Sequence, residues 1–178
     1  MNLRNNLTYY LAAIIVFVLL KFYFSSADND SLIFLLKPTD FLTGLVTGSN
    51  SVYISEIGFY YEKLNIIIDK SCSGYNFWLL SFLMLFFLTI KYFNNHFHKI
   101  LVIPSCLLFA GIFTIFINTS RILITLIFQQ HIKNLLPDNF HFAVHESLGV
   151  ITYLSFLIII YLIAEKLLNK TFPHAEST

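Results

Sequence analysis

The chain has 178 residues, of which 57% are hydrophobic and only 12% charged, and its formal net charge is +1. A soluble domain carries roughly 25% charged residues, and a chain this short cannot hide so much apolar side chain in one water-facing core. An ordinary soluble domain is therefore excluded, and the balanced charge leaves no basic footprint for a nucleic-acid partner.

The expected fold class is an all-α polytopic membrane protein, built as a single membrane-embedded domain over residues 1–178. Its mean hydropathy is +0.72. Four stretches are apolar for long enough to cross roughly 30 Å of hydrocarbon; they fall near 7–24, 75–90, 100–117 and 148–163. The first also has signal-peptide features, with Arg4 ahead of an apolar centre and Ser25-Ser26-Ala27 as a cleavage site. Lys21 and the bulky Phe22, Tyr23 and Phe24 favour an uncleaved anchor instead.

Orientation is read from lysine and arginine in short loops. Arg4, Lys91, Lys99, Lys166 and Lys170 fall on one side of four spans, within three short segments. The other side holds longer segments and most of the acids: Asp28, Asp30, Asp40, Glu56, Glu62, Asp69, Asp138 and Glu146. Both termini are therefore expected in the cytoplasm, with 25–74 and 118–147 facing outward.

The first outer segment is patterned. Pro38 followed by Thr39-Asp40 reads as a helix start, Phe41, Leu42, Leu45 and Val46 share a face, and Gly48 ends the run. A short helix lying in the membrane surface is expected there. Val52, Ile54 and Ile57 lead to Gly58, and Leu64, Ile66 and Ile68 follow, which predicts a small hairpin entering the second span.

Residues able to do chemistry cluster in the outer segments. Two cysteines make no disulfide framework; Cys106, inside an apolar run, is expected to be an inert buried thiol. Cys72 stands in Ser71-Cys72-Ser73-Gly74, just before the second span. In the first turn of a helix, a thiol meets the positive end of the macrodipole and ionises more readily. Gly74 permits close approach of another part of the chain. The alternative is a small buried side chain beneath a turn.

Asn118-Thr119-Ser120-Arg121 ends the third span, and Arg121 is the only arginine after Arg4. Flanked by apolar sequence on both sides, it needs a partner, a cavity or a route to the interface. Asn118 lies on the same helical face. A guanidinium suits a carboxylate or a developing oxyanion; the plainer reading is an arginine marking the membrane edge. His141 and His145 share a face before the fourth span and are candidates for proton transfer. His145-Glu146 lacks the second histidine of a zinc-protease motif. A zinc site built from Cys72, His141 and His145 is the remaining metal alternative.

A cysteine, an arginine and a histidine thus reach one face from three different elements, which are the parts that acyl transfer requires. Cys72-Ser73-Gly74 before one span, Asn118-x-x-Arg121 at the end of another, and His145 with Gly149 before the last together resemble the exosortase and archaeosortase family. The resemblance covers roughly residues 40–165, in a minimal form similar to exosortase K. Tyr75-Asn76 departs from the Leu-Arg that follows the glycine in many members.

The resemblance implies a prokaryotic cysteine peptidase and transpeptidase in the cytoplasmic membrane, with its active site on the outer face. Cys72 would be the nucleophile, Arg121 the electrostatic and orienting group, and His145 the acid/base, with Ser73, Gly74, Asn118 and His141 in support. No cofactor is required. The implied partners are the lipid bilayer, membrane-anchored proteins with a C-terminal sorting signal, and a surface glycan or amine acceptor. Two rivals are a plain membrane cysteine peptidase without transfer, and a non-catalytic scaffold or transporter subunit.

Overall fold

Apolar runs close their backbone hydrogen bonds within helices, and helices make up most of this chain. The structure, a computed structural model, describes residues 3–132 and 141–172, with side chains over 6–128 and 146–172. In chain order the elements are α1 (Leu3–Ser26), α2 (Ile33–Thr47), β1 (Val52–Ile54), β2 (Gly58–Tyr61), β3 (Ile66–Ile68), a 3-10 turn (Lys70–Cys72), α3 (Tyr75–Thr89), a second 3-10 turn (Ile90–Tyr92), α4 (His96–Ile132) and α5 (His141–Thr171).

Four helical segments are long and apolar enough to cross a membrane: Asn6–Ser26, Lys70–Tyr92, His96–Phe128 and Glu146–Thr171. Each expected span falls within one of them. The third is longer than expected, so Asn118 and Arg121 lie inside α4 rather than at its end. The cause is local. No proline or glycine interrupts the chain between Gly111 and Ile132. The hydroxyls of Thr119, Ser120 and Thr125 turn back onto carbonyls one helical turn earlier, at 2.9 Å each, so these polar residues continue the helix instead of ending it.

The segment before α3 holds the expected helix and hairpin, each longer than expected. Its helix begins at Ile33, five residues before Pro38, and the proline sits inside α2. Ile33 to Leu36 continue the apolar face, and Pro38 in the second turn costs the helix the one bond that an N–H there would have made to the Phe34 carbonyl. Gly48 ends the helix in the left-handed conformation as expected. The hairpin is a three-stranded antiparallel meander in the order β1-β2-β3. Tyr53 pairs with Phe59, and Phe59 in turn with Ile68. The extra strand forms because Phe59, Tyr60 and Tyr61 continue the β pattern past the Gly58 turn residue.

The chain divides into two compact units. One is drawn from Met1–Ser26, Asn76–Phe113 and Leu157–Thr178. Its core is aromatic: the Tyr10 ring meets those of Phe86 and Phe87 at 6.4 and 5.5 Å between centroids. The Trp78 indole donates to the Leu107 carbonyl at 2.8 Å. Lys21 and Lys99 donate to Asn76 and Asn6 at 2.5 and 2.6 Å, which satisfies ammonium groups among apolar helices.

The other unit is drawn from Ala27–Tyr75 and Thr114–Phe156, and holds α2 and the sheet. Asn29, nearly buried, binds three backbone groups. Its amide nitrogen donates to the carbonyls of Ser55 and Glu56 at 3.5 and 3.3 Å, and its oxygen accepts from the Lys70 amide at 2.8 Å. The Lys70 ammonium donates to the Ala27 carbonyl at 2.7 Å. The β1–β2 turn and the chain entering Cys72 are thereby tied to one short segment. Tyr61, fully buried, donates to the Asp40 carbonyl at 2.8 Å and fastens α2 to the sheet.

Asp30 makes a second tie, accepting from the hydroxyls of Ser55 and Tyr53. These bonds hold its carboxyl below the ordinary carboxylate range, the Ser55 bond most strongly. The same contact pushes the Tyr53 phenol up to about 12. A depressed carboxylate contributes stability above its unfolded pKa of roughly 4 and loses it as pH falls through the folded value. Asp30→Asn is therefore expected to speed amide exchange in β1 at pH 7, with the gap from the parent closing below about pH 4. Hydrogen exchange at both pH values checks this, and an equal gap at each would refute it.

Candidate functional site

Cys72 is held by backbone geometry rather than by a long helix. It is the last residue of the Lys70–Cys72 turn, and α3 begins only at Tyr75. The Asp69 carboxylate caps that turn, accepting from the amides of Ser71 and Cys72 at 3.0 and 3.3 Å and from the Ser71 hydroxyl at 2.6 Å. The expected seat of Cys72 in the first turn of α3 is corrected accordingly. Gly74, at φ +71°, breaks the chain between the cysteine and the helix. The Ser71 hydroxyl lies 3.8 Å from the sulfur.

Ser73 and Gly74 serve the turn. The Ser73 hydroxyl donates to the Lys70 carbonyl at 2.7 Å and accepts from the Tyr75 amide at 3.3 Å, so it closes the turn and starts α3. Gly74 is required twice over. Its φ is one that side chains rarely adopt, and an added Cβ would lie 3.0 Å from the Thr114 methyl and 3.2 Å from the Asn118 amide carbon. The cysteine loop therefore rests directly on α4.

Asn118, fully buried, receives that loop by donating from its amide to the Cys72 carbonyl. One turn further along α4, Arg121 reaches the same region. Cys72 and Arg121 line a common cavity of about 40 Å³ with Ile66, Ile68, Ile122 and Thr125, room for a few waters at roughly 10–15 Å³ each. The sequence motifs Cys-Ser-Gly and Asn-x-x-Arg are thus brought together.

Tyr153 is the residue that sequence reasoning missed. Its hydroxyl donates to the Asn118 side-chain oxygen at 2.7 Å and accepts from an Arg121 guanidinium nitrogen at 3.2 Å. The guanidinium also lies 5.1 Å from the Tyr153 ring centroid, within cation–π range. One turn earlier on α5, a Cβ at Gly149 would come within 2.6 Å of Arg121 Nε, so only glycine lets the guanidinium lie against the helix there. The available signal was the spacing: Tyr153 is four residues after Gly149 in a largely apolar run.

The backbone at His141 and His145 belongs to α5, and position 145 precedes Gly149 by about 6 Å of helix rise. The side chains of both histidines lie outside the described residues, and so does the zinc alternative that would need them. Cys106 is buried, as expected. Compared with known proteins, the chain matches no family model, no curated protein and no solved structure.

The two thiols should differ in reaction with a small charged methanethiosulfonate. Cys72 is half-buried and borders the small cavity that Arg121 also lines, whereas Cys106 is buried against a larger groove of almost wholly apolar lining. Cys72 is expected to react at least roughly tenfold faster in the native protein, and equal rates after denaturation provide the control. Equal slow rates in the native protein would show that the cavity does not expose the sulfur.

Proposed function

We propose that the protein is a membrane-embedded cysteine peptidase and transpeptidase of the exosortase type, acting on C-terminal sorting signals of other membrane-anchored proteins. One observation carries this reading: Cys72 and Arg121, far apart in sequence, border one cavity while Asn118 of the arginine motif holds the cysteine's own carbonyl. A small buried cysteine beneath a turn would need no guanidinium beside it.

In this mechanism the Cys72 thiolate attacks a substrate peptide carbonyl and forms the C–S bond. Arg121 faces the oxygen as it gains negative charge, and differential stabilisation of that charge lowers the barrier. Collapse of the tetrahedral intermediate breaks the C–N bond. His145 delivers the proton that the departing amine takes, which leaves a thioester. Water, or an amine or glycan hydroxyl, then attacks the thioester, gives up its proton to His145 and restores the thiol. Water yields a carboxylate, and an acceptor yields a new amide or ester. No cofactor enters any step.

The four apolar helices supply the setting. Both termini lie in the cytoplasm, and residues 25–74 face outward. Arg121 lies within the His96–Phe128 span, among Asn118, Thr119, Ser120 and Thr125, and the cavity it shares with Cys72 is where water can meet it. The substrate is a secreted protein whose C-terminal span brings its cleavage motif to that depth. Thiol labelling in intact cells checks the orientation. A cysteine introduced at Asn50 is expected to label with an impermeant reagent, while cysteines at Asn95 and Asn169 resist; the reverse pattern would place the site on the wrong side.

Substitution ranks the roles. Cys72→Ala abolishes processing of a co-expressed substrate, and Cys72→Ser does nearly as badly, because a hydroxyl needs stronger activation than a thiol. Arg121→Lys fails as well, since lysine keeps the charge and loses the planar fork. His145→Ala costs on the order of 100-fold or more, and His141→Ala much less. Substrate cleavage followed by immunoblot reads all four, and mass analysis of the new C-terminus separates hydrolysis from transfer. Normal processing with both Cys72→Ala and Arg121→Lys in place would overturn the enzyme reading in favour of a scaffold.

A further inference from the structure

The functional motifs account for Cys72, Asn118 and Arg121, but not for the group that fixes two of these three relative to each other. The Tyr153 hydroxyl makes two directed contacts with α4. It gives its proton to Asn118 Oδ1 at 2.7 Å and takes one from Arg121 Nη1 at 3.2 Å. An amide side chain can present either end to a neighbour, and the end it presents is set by its partners. With a donor fixed on the oxygen, the Asn118 nitrogen is the end that faces the Cys72 carbonyl. The same oxygen receives one arm of the guanidinium, and Gly149 leaves that group a place against the α5 backbone. One hydroxyl therefore sets both residues of the Asn-x-x-Arg motif.

Packing does not account for this arrangement. A phenylalanine ring would fill the same volume and keep the cation–π face over which Arg121 lies. What it would lose is the hydroxyl that joins Asn118 to Arg121. Arginine has a long, flexible stem, and a charge displaced by a few ångström acts much less strongly on a target in a partly apolar site. We infer that Tyr153 is a positioning residue, whose hydroxyl holds the Arg121 guanidinium in the pose that acts on Cys72 and orients the Asn118 amide toward the cysteine loop. For its catalytic consequence the inference rests on the proposed peptidase reading; its geometric content can be tested without any substrate.

The test alkylates Cys72 in membranes that carry the full chain, with two reagents of similar size: neutral iodoacetamide and anionic iodoacetate. Mass analysis of the Cys72 peptide gives each rate, and the iodoacetate-to-iodoacetamide ratio reports the positive charge felt at the sulfur. Arg121→Gln calibrates the loss of that charge. Tyr153→Phe is expected to lower the ratio by roughly three- to fivefold, as for a unit charge moved out of close range. Gly149→Ala, which crowds the guanidinium from the other side, is expected to lower it as well and guards against a defect peculiar to one variant. Tyr161→Phe, elsewhere on α5, should leave it unchanged. In processing assays Tyr153→Phe should reduce kcat by on the order of tenfold with little change in KM.

An unchanged ratio in Tyr153→Phe, while Arg121→Gln lowers it, would overturn the inference. So would an unchanged ratio in Arg121→Gln, since the held charge would then not act at Cys72. If the ratio falls in Tyr153→Phe but the parent chain cleaves no sorting-signal substrate, the positioning role stands and the peptidase reading falls.

Discussion

A guanidinium stays charged at every pH a cell experiences, so a helix that carries one between apolar runs must be given something to set against it. Among the described residues the answer is built from neutral groups. Among the described residues, Arg121 meets the Tyr153 hydroxyl and ring and the open backbone at Gly149, with no carboxylate in a salt bridge. Tyr153 must then be at the right height on α5, and Gly149 one turn before it. Asn118 must be one turn before Arg121 on α4 to share the hydroxyl. That requirement also gives Asn118 its second task, because the amide nitrogen left over is aimed at Cys72.

The cysteine loop meets this arrangement with an equally determined shape. Asp69 takes up the amides of the Lys70–Cys72 turn, Ser73 closes it, and Gly74 supplies a backbone angle and a surface flat enough to rest on Thr114 and Asn118. Further back, Asn29 and Lys70 tie the turn to the chain leaving α1 and to the β1–β2 connection. The three-stranded sheet contributes Ile66 and Ile68 to the cavity wall. A small sheet is marginal in isolation; here buried tyrosine and asparagine side chains fasten it to the helices.

What was legible in the sequence followed from composition and from short-range patterns. Apolar runs announced four long helices because hydrophobicity over about 20 residues is additive and local. Gly48 ended α2 as its type suggests. Pro38 marks a helix start by its type, yet α2 starts at Ile33 because the apolar residues before the proline extend the face backwards. The run to Ile132 was cut short at Asn118 because polar residues were read as an end, although serine and threonine hydroxyls satisfy themselves within a helix. The meeting of the cysteine and arginine motifs was expected from their shared side. Tyr153 was hidden for a different reason: a tyrosine in an apolar helix carries no motif, and its value comes from partners on another element.

The choice of neutral partners for Arg121 has a consequence under the proposed chemistry. A carboxylate would satisfy the guanidinium in the resting state and would also cancel most of its field at the cavity, so less would remain for a developing oxyanion. A phenol oxygen and an aromatic face stabilise the cation through dipole and quadrupole while leaving its net charge intact. Orientation matters for the same reason. Side chains held before the reaction need not reorganise during it, which is where preorganised polar groups outperform water. Tyr153 holds Asn118 and Arg121 together, so the cysteine loop and the positive charge are placed by one shared contact. A packed apolar residue at 153 could preserve the volume of the site, but it has no atom with which to hold both partners.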